Sequence, residues 1–199
     1  MTDPNPERQI WLVRHGETEW ARLGRHTGRT DIPLTDVGRE QAQALGRRLA
    51  GHRFDLVLTS PLSRAAETAS LAGFADATLE PNLMEWDYGV HEGRTSAAIR
   101  DDFDAWTIWS GPWPQGETVD AVGARVDRVL ARCLDAAVTG DSLLFAHGHL
   151  LRILAARWLR QPPTAGALFA LGTATVGILG WDRLNPVIET WNEACHLER

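Results

Sequence analysis

The chain has 199 residues, 20 basic and 26 acidic, with a formal net charge of −6. Every basic residue is Arg and no Lys occurs, which excludes Schiff-base lysines, a pyridoxal-phosphate anchor, the Lys-containing phosphate loop and the kinase strand lysine. The acidic balance argues against nucleic-acid and acidic-membrane partners, which need a basic surface.

With 44% hydrophobic and 23% charged residues, the composition is that of globular material. A length near that of one domain predicts a single unit over residues 1–199. Cys133 and Cys195 form no Cys-x-x-Cys pair, so neither a disulfide framework nor a Cys-based zinc site is expected. Residues Met1 to Arg8 are polar and lack the apolar run of a signal peptide. The least polar stretch, Leu168 to Trp181, is about 14 residues, short of the roughly 20 that span a bilayer. A soluble, cytoplasmic chain without membrane contact is the expectation.

In chain order, Ile10 to Val13 is an apolar run entering the elbow Arg14-His15-Gly16. Thr35 then precedes a helical pattern from Asp36 to Ala50, with Gly51 as its stop. Leu56 to Leu58 enters Thr59-Ser60-Pro61, where Ser60 reads as an N-cap and Pro61 as the first turn of a helix reaching about Leu71. The Trp-rich stretch 89–117 reads as a cap or long active-site loop. Leu143 to Ala146 enters His147-Gly148-His149, followed by a helix from Leu150 to Leu159 that Pro162-Pro163 closes. Val176 to Trp181 and Val187 to Trp191 read as a hairpin, whose Trp-rich edge suits a homodimer. Short apolar runs bounded by turns are buried strands of a mostly parallel sheet, and their alternation with helices gives an α/β sandwich.

In such sheets ligands bind beyond the carboxyl ends of the strands. All three elbows lie there, which predicts that Arg14, His15, Arg64, His147 and His149 surround one pocket. Arginines, histidines and helix N-termini together suit a phosphate.

Arg14-His15-Gly16 alone is a weak signal. It is followed in order by Thr18, Trp20, Thr27-Gly28, Leu34-Thr35-x-x-Gly38 and Thr59-Ser60-Pro61-x-x-Arg64-x-x-x-Thr68-Ala69. Leu83-x-Glu85-x-x-x-Gly89-x-x-Glu92-Gly93 and Ala146-His147-Gly148-His149 complete the series. The series resembles the histidine phosphatase superfamily, also called phosphoglycerate-mutase-like, over nearly the whole chain. The resemblance implies a three-layer sandwich with a mostly parallel central sheet flanked by helices. It also implies a phosphomonoesterase that needs no metal or cofactor and acts on small phosphorylated metabolites. His15 would be the nucleophile, its other ring nitrogen donating to a carbonyl at Gly16. Arg14, Arg64 and His147 would hold the phosphoryl oxygens, and Glu85 would be the general acid. Thr27, Gly28, Tyr88, Gly148 and His149 would contact substrate. For Arg14 and His15 to reach one phosphate the chain must bend, and Gly16 would permit the bend.

Other residues take blander readings. Glu92 reads as a cap of the turn at Gly93, Asp87 as solvent-facing, and Tyr88 equally as packing or contact. His26, His52, His91 and His196 show no metal spacing. Trp106, Trp109 and Trp113 read as core. Arg152 reads first as a solvated helix arginine and second as a group that could reach another anion, while the Arg22, Arg25, Arg29 series is the local candidate for a distal phosphate.

Rival phosphatase designs fail on residues. A cysteine phosphatase needs Arg six positions after its Cys, but position 139 is Thr and the chain ends before 201. An aspartyl-phosphate motif starting at Asp102 would need Thr or Val where Trp106 stands. A phosphoglycerate mutase is the alternative within the family. Against it stand the absent lysine, the short span of 62 positions from Glu85 to His147, and Ala21 in place of the usual Asn. The alternative of another class is a non-catalytic phospholigand-binding module. Such relatives usually lose the nucleophile or an arginine, and here the set is complete. The segments 24–28, 85–89 and 145–149 look most like the sub-branch of sugar-bisphosphatases and acid phosphatases.

Overall fold

The computed structural model describes residues 8–197; the polar stretch 1–7 lies outside them. Six strands form one sheet: β1 (Ile10–Arg14), β2 (Leu56–Thr59), β3 (Thr78–Leu79), β4 (Ser142–Ala146), β5 (Val176–Asp182) and β6 (Asn185–Glu193). Their order is β3-β2-β4-β1-β5-β6. The first four run parallel, while β5 is antiparallel to β1 and forms a hairpin with β6.

Period-2 alternation sorts the strand side chains onto two faces. Leu12, Leu58 and Leu144 enter one core with Val122, Val126, Leu151 and Leu154. Trp11, Val13, Leu143 and Phe145 enter the other with Leu45, Leu49 and Ala69. Helices α5 (Val119–Cys133) and α6 (Gly148–Trp158) cover the first face. Helices α2 (Asp36–Leu49) and α3 (Ser63–Leu71) cover the second. The short α1 (Glu19–Arg22) and α4 (Ser96–Arg100) sit in the connections. The fold is therefore the α/β sandwich with a mostly parallel sheet flanked by helices.

Three element readings need correction. Helix α3 starts at Ser63 with Leu62 at its cap, later than the Ser60-Pro61 start; the Ser60 hydroxyl accepts from Leu62 N and from His147 Nε2. Helix α6 begins at Gly148 rather than Leu150. Helix α5 was not foreseen, although its signals are in the sequence. Thr118 caps Ala121 N, and Val119, Val122, Val126 and Val129 recur at helical spacing on its buried side. Within 89–117, Trp106 is core, and Trp109 and Trp113 pack against the core.

Candidate active site

The cavity lies beyond the carboxyl ends of β1 and β4. Arg14 closes β1, and the chain stays stitched past it: His15 N donates to Ala146 O at 3.0 Å, and Ala174 N reaches His15 O at 3.0 Å. His15 is buried, with its Nδ1 2.7 Å from Gly16 O. A carbonyl only accepts, so Nδ1 carries the proton and Nε2 is left with its lone pair toward the cavity that His15 lines. Burial, then the Arg64 and Arg14 charges, hold the ring's pKa well below the ordinary histidine value. Gly16 serves the elbow in an unforeseen way. Its φ is not in the left-handed region; instead a Cβ there would lie 2.3 Å from Gly38 O, at the first turn of α2. Close approach of two backbones excludes a side chain.

The Arg14 guanidinium also lines the cavity. One amino group donates to Leu171 O, and Nε is buried without a partner among the described residues. A buried donor of this kind needs an acceptor. Arg64, fully buried in α3, donates from Nε to His147 Nδ1 at 3.2 Å and from its amino groups to the carbonyls of Thr27, Gly28 and Thr30. With Nδ1 accepting, His147 donates from Nε2 to Ser60 Oγ at 2.8 Å. The His15 and His147 rings are 5.2 Å apart. Arg64 and His147 thus stand directly behind His15, where their functional atoms face protein, and are not among the cavity-lining residues.

Glu85 is also buried. Its Oε1 accepts from Trp86 N and Leu150 N, each at 2.9 Å, and its Oε2 from His149 N at 3.1 Å. It therefore satisfies amides that the first turn of α6 leaves open. The unforeseen α5 holds this segment: Arg125 donates to the carbonyls of Asn82, Met84 and Glu85 and pairs with Glu117 at 2.9 Å.

The cavity is about 190 Å³ and is lined by Arg14, His15, Thr27, Glu85, Tyr88, Gly148 and His149 among the expected residues. Gly28 is not on the wall. Its carbonyl receives Arg64, and a Cβ there would lie 2.3 Å from Glu92 Oε1 and 2.6 Å from Trp86 O. Glu92 does not cap Gly93; its carboxylate accepts from Arg29 N at 2.6 Å and Thr30 N at 2.8 Å. The loop 27–30 is thus gripped by Arg64 on its carbonyls and Glu92 on its amides. Asp87 is half-buried rather than solvent-facing, and its Oδ1 accepts from Gly89 N at 2.9 Å.

Sequence reasoning missed His26 and misread Arg152. His26 lines the cavity, stacks at 5.9 Å on His149 and is pushed down to about 4 by burial and His91. Only its place one residue before Thr27 hinted at this. Arg152 also lines the cavity, with its guanidinium 4.7 Å over the Trp109 ring and hydrogen bonds to Gly166 O and Ala167 O. It has no ion pair among the described residues. Arg22 is paired with Glu19 and Arg29 with Glu117, whereas Arg25 lines the cavity mouth. Among the described residues, Glu85 is the one carboxylate on the wall. No cluster of three His, Cys, Asp or Glu suited to a metal occurs among the described residues.

The family model of the histidine phosphatase superfamily (branch 1) matches residues 10–194. The chain belongs to that superfamily. An acid phosphatase of Mycobacterium tuberculosis is 41% identical over 87% of each chain. A sedoheptulose 1,7-bisphosphatase of Saccharomyces cerevisiae is 33% identical over 74% of this chain and 66% of its own. A Cronobacter sakazakii protein named "probable phosphoglycerate mutase" is 30% identical over 96% of this chain and 95% of its own. Among solved structures, that of a Mycobacterium tuberculosis open reading frame product superposes with a TM-score of 0.89 at 38% identity, covering 93% of this chain and 97% of that one. The protein is a histidine phosphatase enzyme. No helix of the described residues is long and apolar enough to cross a membrane.

Proposed function

We propose that this histidine phosphatase hydrolyses small sugar phosphates or bisphosphates through a phosphohistidine on His15, without a metal ion. One observation carries the reading: His15 Nδ1 donates to Gly16 O, which leaves a neutral Nε2 facing a cavity that also holds the unpartnered Arg14 Nε. In the first displacement Nε2 attacks phosphorus, the bond to the leaving oxygen breaks, and Glu85 protonates that oxygen. In the second, water attacks the phosphohistidine, Glu85 takes the water's proton, and the P–N bond breaks to release phosphate. Arg14 is the anion clamp of the resting site. For Arg64 and His147 to reach phosphoryl oxygens, the bond between them must open as the anion arrives. Until then burial first, and the Arg64 charge after it, keep His15 unprotonated. Thr27, Tyr88, Gly148 and His149 face the leaving group.

The cavity is smaller than the roughly 300–1,000 Å³ of drug-sized sites, and most of the residues that line it carry polar side chains, which favours small hydrophilic leaving groups. The relatives' names, acid phosphatase and sedoheptulose bisphosphatase, point the same way. Arg25 and Arg152 supply cations for a second phosphate. The free edge of β6 is where a homodimer would pair, and a cytoplasmic enzyme suits such metabolites.

Rapid quench with ³²P-labelled sugar phosphate tests the reading. Acid-labile label on His15, unaffected by chelators, is expected; full turnover by His15→Ala would overturn it. Conversion of 3- to 2-phosphoglycerate with little free phosphate would instead favour the mutase reading. Absence of turnover on p-nitrophenyl phosphate would favour a binding module.

A further inference from the structure

One pair on the cavity wall has no part in the two displacements. Tyr88 is almost fully buried, and its hydroxyl lies 2.6 Å from His149 Nδ1. Two arrangements fit that distance: the phenol donates to Nδ1, or Nδ1–H donates to the phenol. In the second, the phenol's own hydrogen would need another acceptor, and none is present among the described residues. In the first, the phenol hydrogen and the Nδ1 lone pair satisfy each other and the ring's proton sits on Nε2, so one group is left open where the second arrangement leaves both the phenol hydrogen and the Nε2 lone pair. That nitrogen has no partner among the described residues and belongs to a ring that lines the cavity. Burial raises the phenol well above its ordinary pKa and lowers the imidazole well below its own, so both are neutral.

The ring is also fixed in place. His26 stacks on it at 28° and 5.9 Å, the Trp109 edge meets it at 5.4 Å, and its backbone N–H donates to Glu85 Oε2.

We infer that Tyr88 is a positioning residue that locks His149 as the Nε2–H tautomer, so that beside Glu85 the wall offers the leaving group a hydrogen-bond donor and refuses it an acceptor. With Arg152 on the same wall, the leaving-group side then selects molecules bringing an anionic oxygen, a second phosphate or a carboxylate. It disfavours leaving groups bearing an ammonium there. The inference rests on the phosphatase reading for its substrate class, but the tautomer itself does not.

The test combines a spectrum with kinetics. In long-range ¹H–¹⁵N spectra of the whole protein at neutral pH, His149, assigned by His149→Gln, is expected as the Nε2–H tautomer. Tyr88→Phe should convert it to a mixture. Against fructose 1,6-bisphosphate the same variant should raise KM about fivefold, part of the tenfold or more that one charge-assisted hydrogen bond supplies, and should raise it less for p-nitrophenyl phosphate. Gln carries its amide N–H near the place of Nε2, so in the His149→Gln background the Tyr88→Phe change should have no further effect on that KM ratio. An Nδ1–H tautomer in the unaltered protein, a tautomer indifferent to Tyr88→Phe, or equal KM changes for both substrates would each overturn the inference. An unaltered protein without turnover would sink the phosphatase reading instead, leaving the tautomer assignment to be decided by the spectra.

Discussion

The two ends of the cavity are built differently. At the phosphate end, Arg14, His15, Arg64 and His147 sit at or just beyond the ends of β1 and β4 and in the first turn of α3. Apart from Arg14 and His15 atoms left open toward the reaction, the polar atoms there are tied to a carbonyl, a hydroxyl or another member of the set. At the leaving-group end, Arg25, His26 and Tyr88 come from connecting segments and Arg152 and His149 from α6. Several of their polar atoms are left facing the cavity. Chemistry held on sheet and helix termini tolerates little displacement, whereas loops over a rigid scaffold can vary to set specificity. Substitutions at the first end should therefore abolish turnover on every substrate, and those at the second should re-rank substrates.

The largest effect tests the first half of that contrast. His15→Ala should lose at least about 10⁴-fold in kcat, since no other cavity-lining imidazole has its Nδ1 donated to a carbonyl and its Nε2 open beside Arg14. Steady-state release of inorganic phosphate measures it, and loss on only some substrates would erase the distinction between the ends. Glu85 lies between them, so its replacement should show both behaviours. Glu85→Gln should cost about 10²–10⁴-fold for alkyl phosphates, whose leaving group needs a proton, and much less for p-nitrophenyl phosphate. Equal losses on both substrates would remove Glu85 from the acid role.

The same contrast governs what the sequence disclosed. The phosphate end was legible because its residues sit at fixed offsets from apolar runs: Arg14 and His15 after Val13, His147 after Ala146, Arg64 one turn past Pro61. The mostly parallel sheet flanked by helices followed from the same runs, whereas the strand order did not. The leaving-group end was legible only in part. Arg152 reads as an exposed helix residue until Trp109 and the carbonyls of 166–167 are seen to hold it, and no local pattern predicts that contact. Gly28 and Glu92 were assigned the wrong neighbours because their contact joins two loops 64 positions apart. Helix α5 was missed despite clear periodicity, and with it the Arg125 anchor that holds the Glu85 segment.

A smaller, global effect follows from the imidazoles, two at each end. His15 and His147 are held well below the ordinary histidine value, as is His149, and His26 is lowered to about 4, with burial the first cause in every case. The unfolded chain takes up protons below about 6.5 that the folded chain refuses. The stability these groups contribute is therefore complete above that pH and is lost as pH falls, for His26 between 6.5 and about 4. Each contributes at most about 1.4 kcal/mol per pH unit. Thermal melts should drop steeply from about pH 7 to about pH 5, and His26→Asn should make that slope shallower. A flat profile would mean that these rings are charged in the folded protein. Through the same range the nucleophile itself stays neutral, so the fraction still folded should keep its nucleophile active while stability declines.

The smallest effect isolates the leaving-group end. Arg152 is a half-buried cation of the cavity wall: Trp109 supports one face, two carbonyls take part of the fork, and among the described residues no carboxylate forms an ion pair with it. A second phosphate on the substrate would. Arg152→Lys keeps the charge but loses the planar fork and its seat on Trp109. It should raise KM for a sugar bisphosphate about tenfold, the size of one charge-assisted hydrogen bond, and alter p-nitrophenyl phosphate hydrolysis far less. Arg25→Ala should act in the same direction but more weakly, because Arg25 is exposed at the mouth, where solvent screens its charge. If the two variants instead lower kcat equally on mono- and bisphosphates, the end of the cavity they occupy serves catalysis as the other end does. The enzyme's preference among phosphate esters would then have to come from Thr27, Tyr88 and His149 alone.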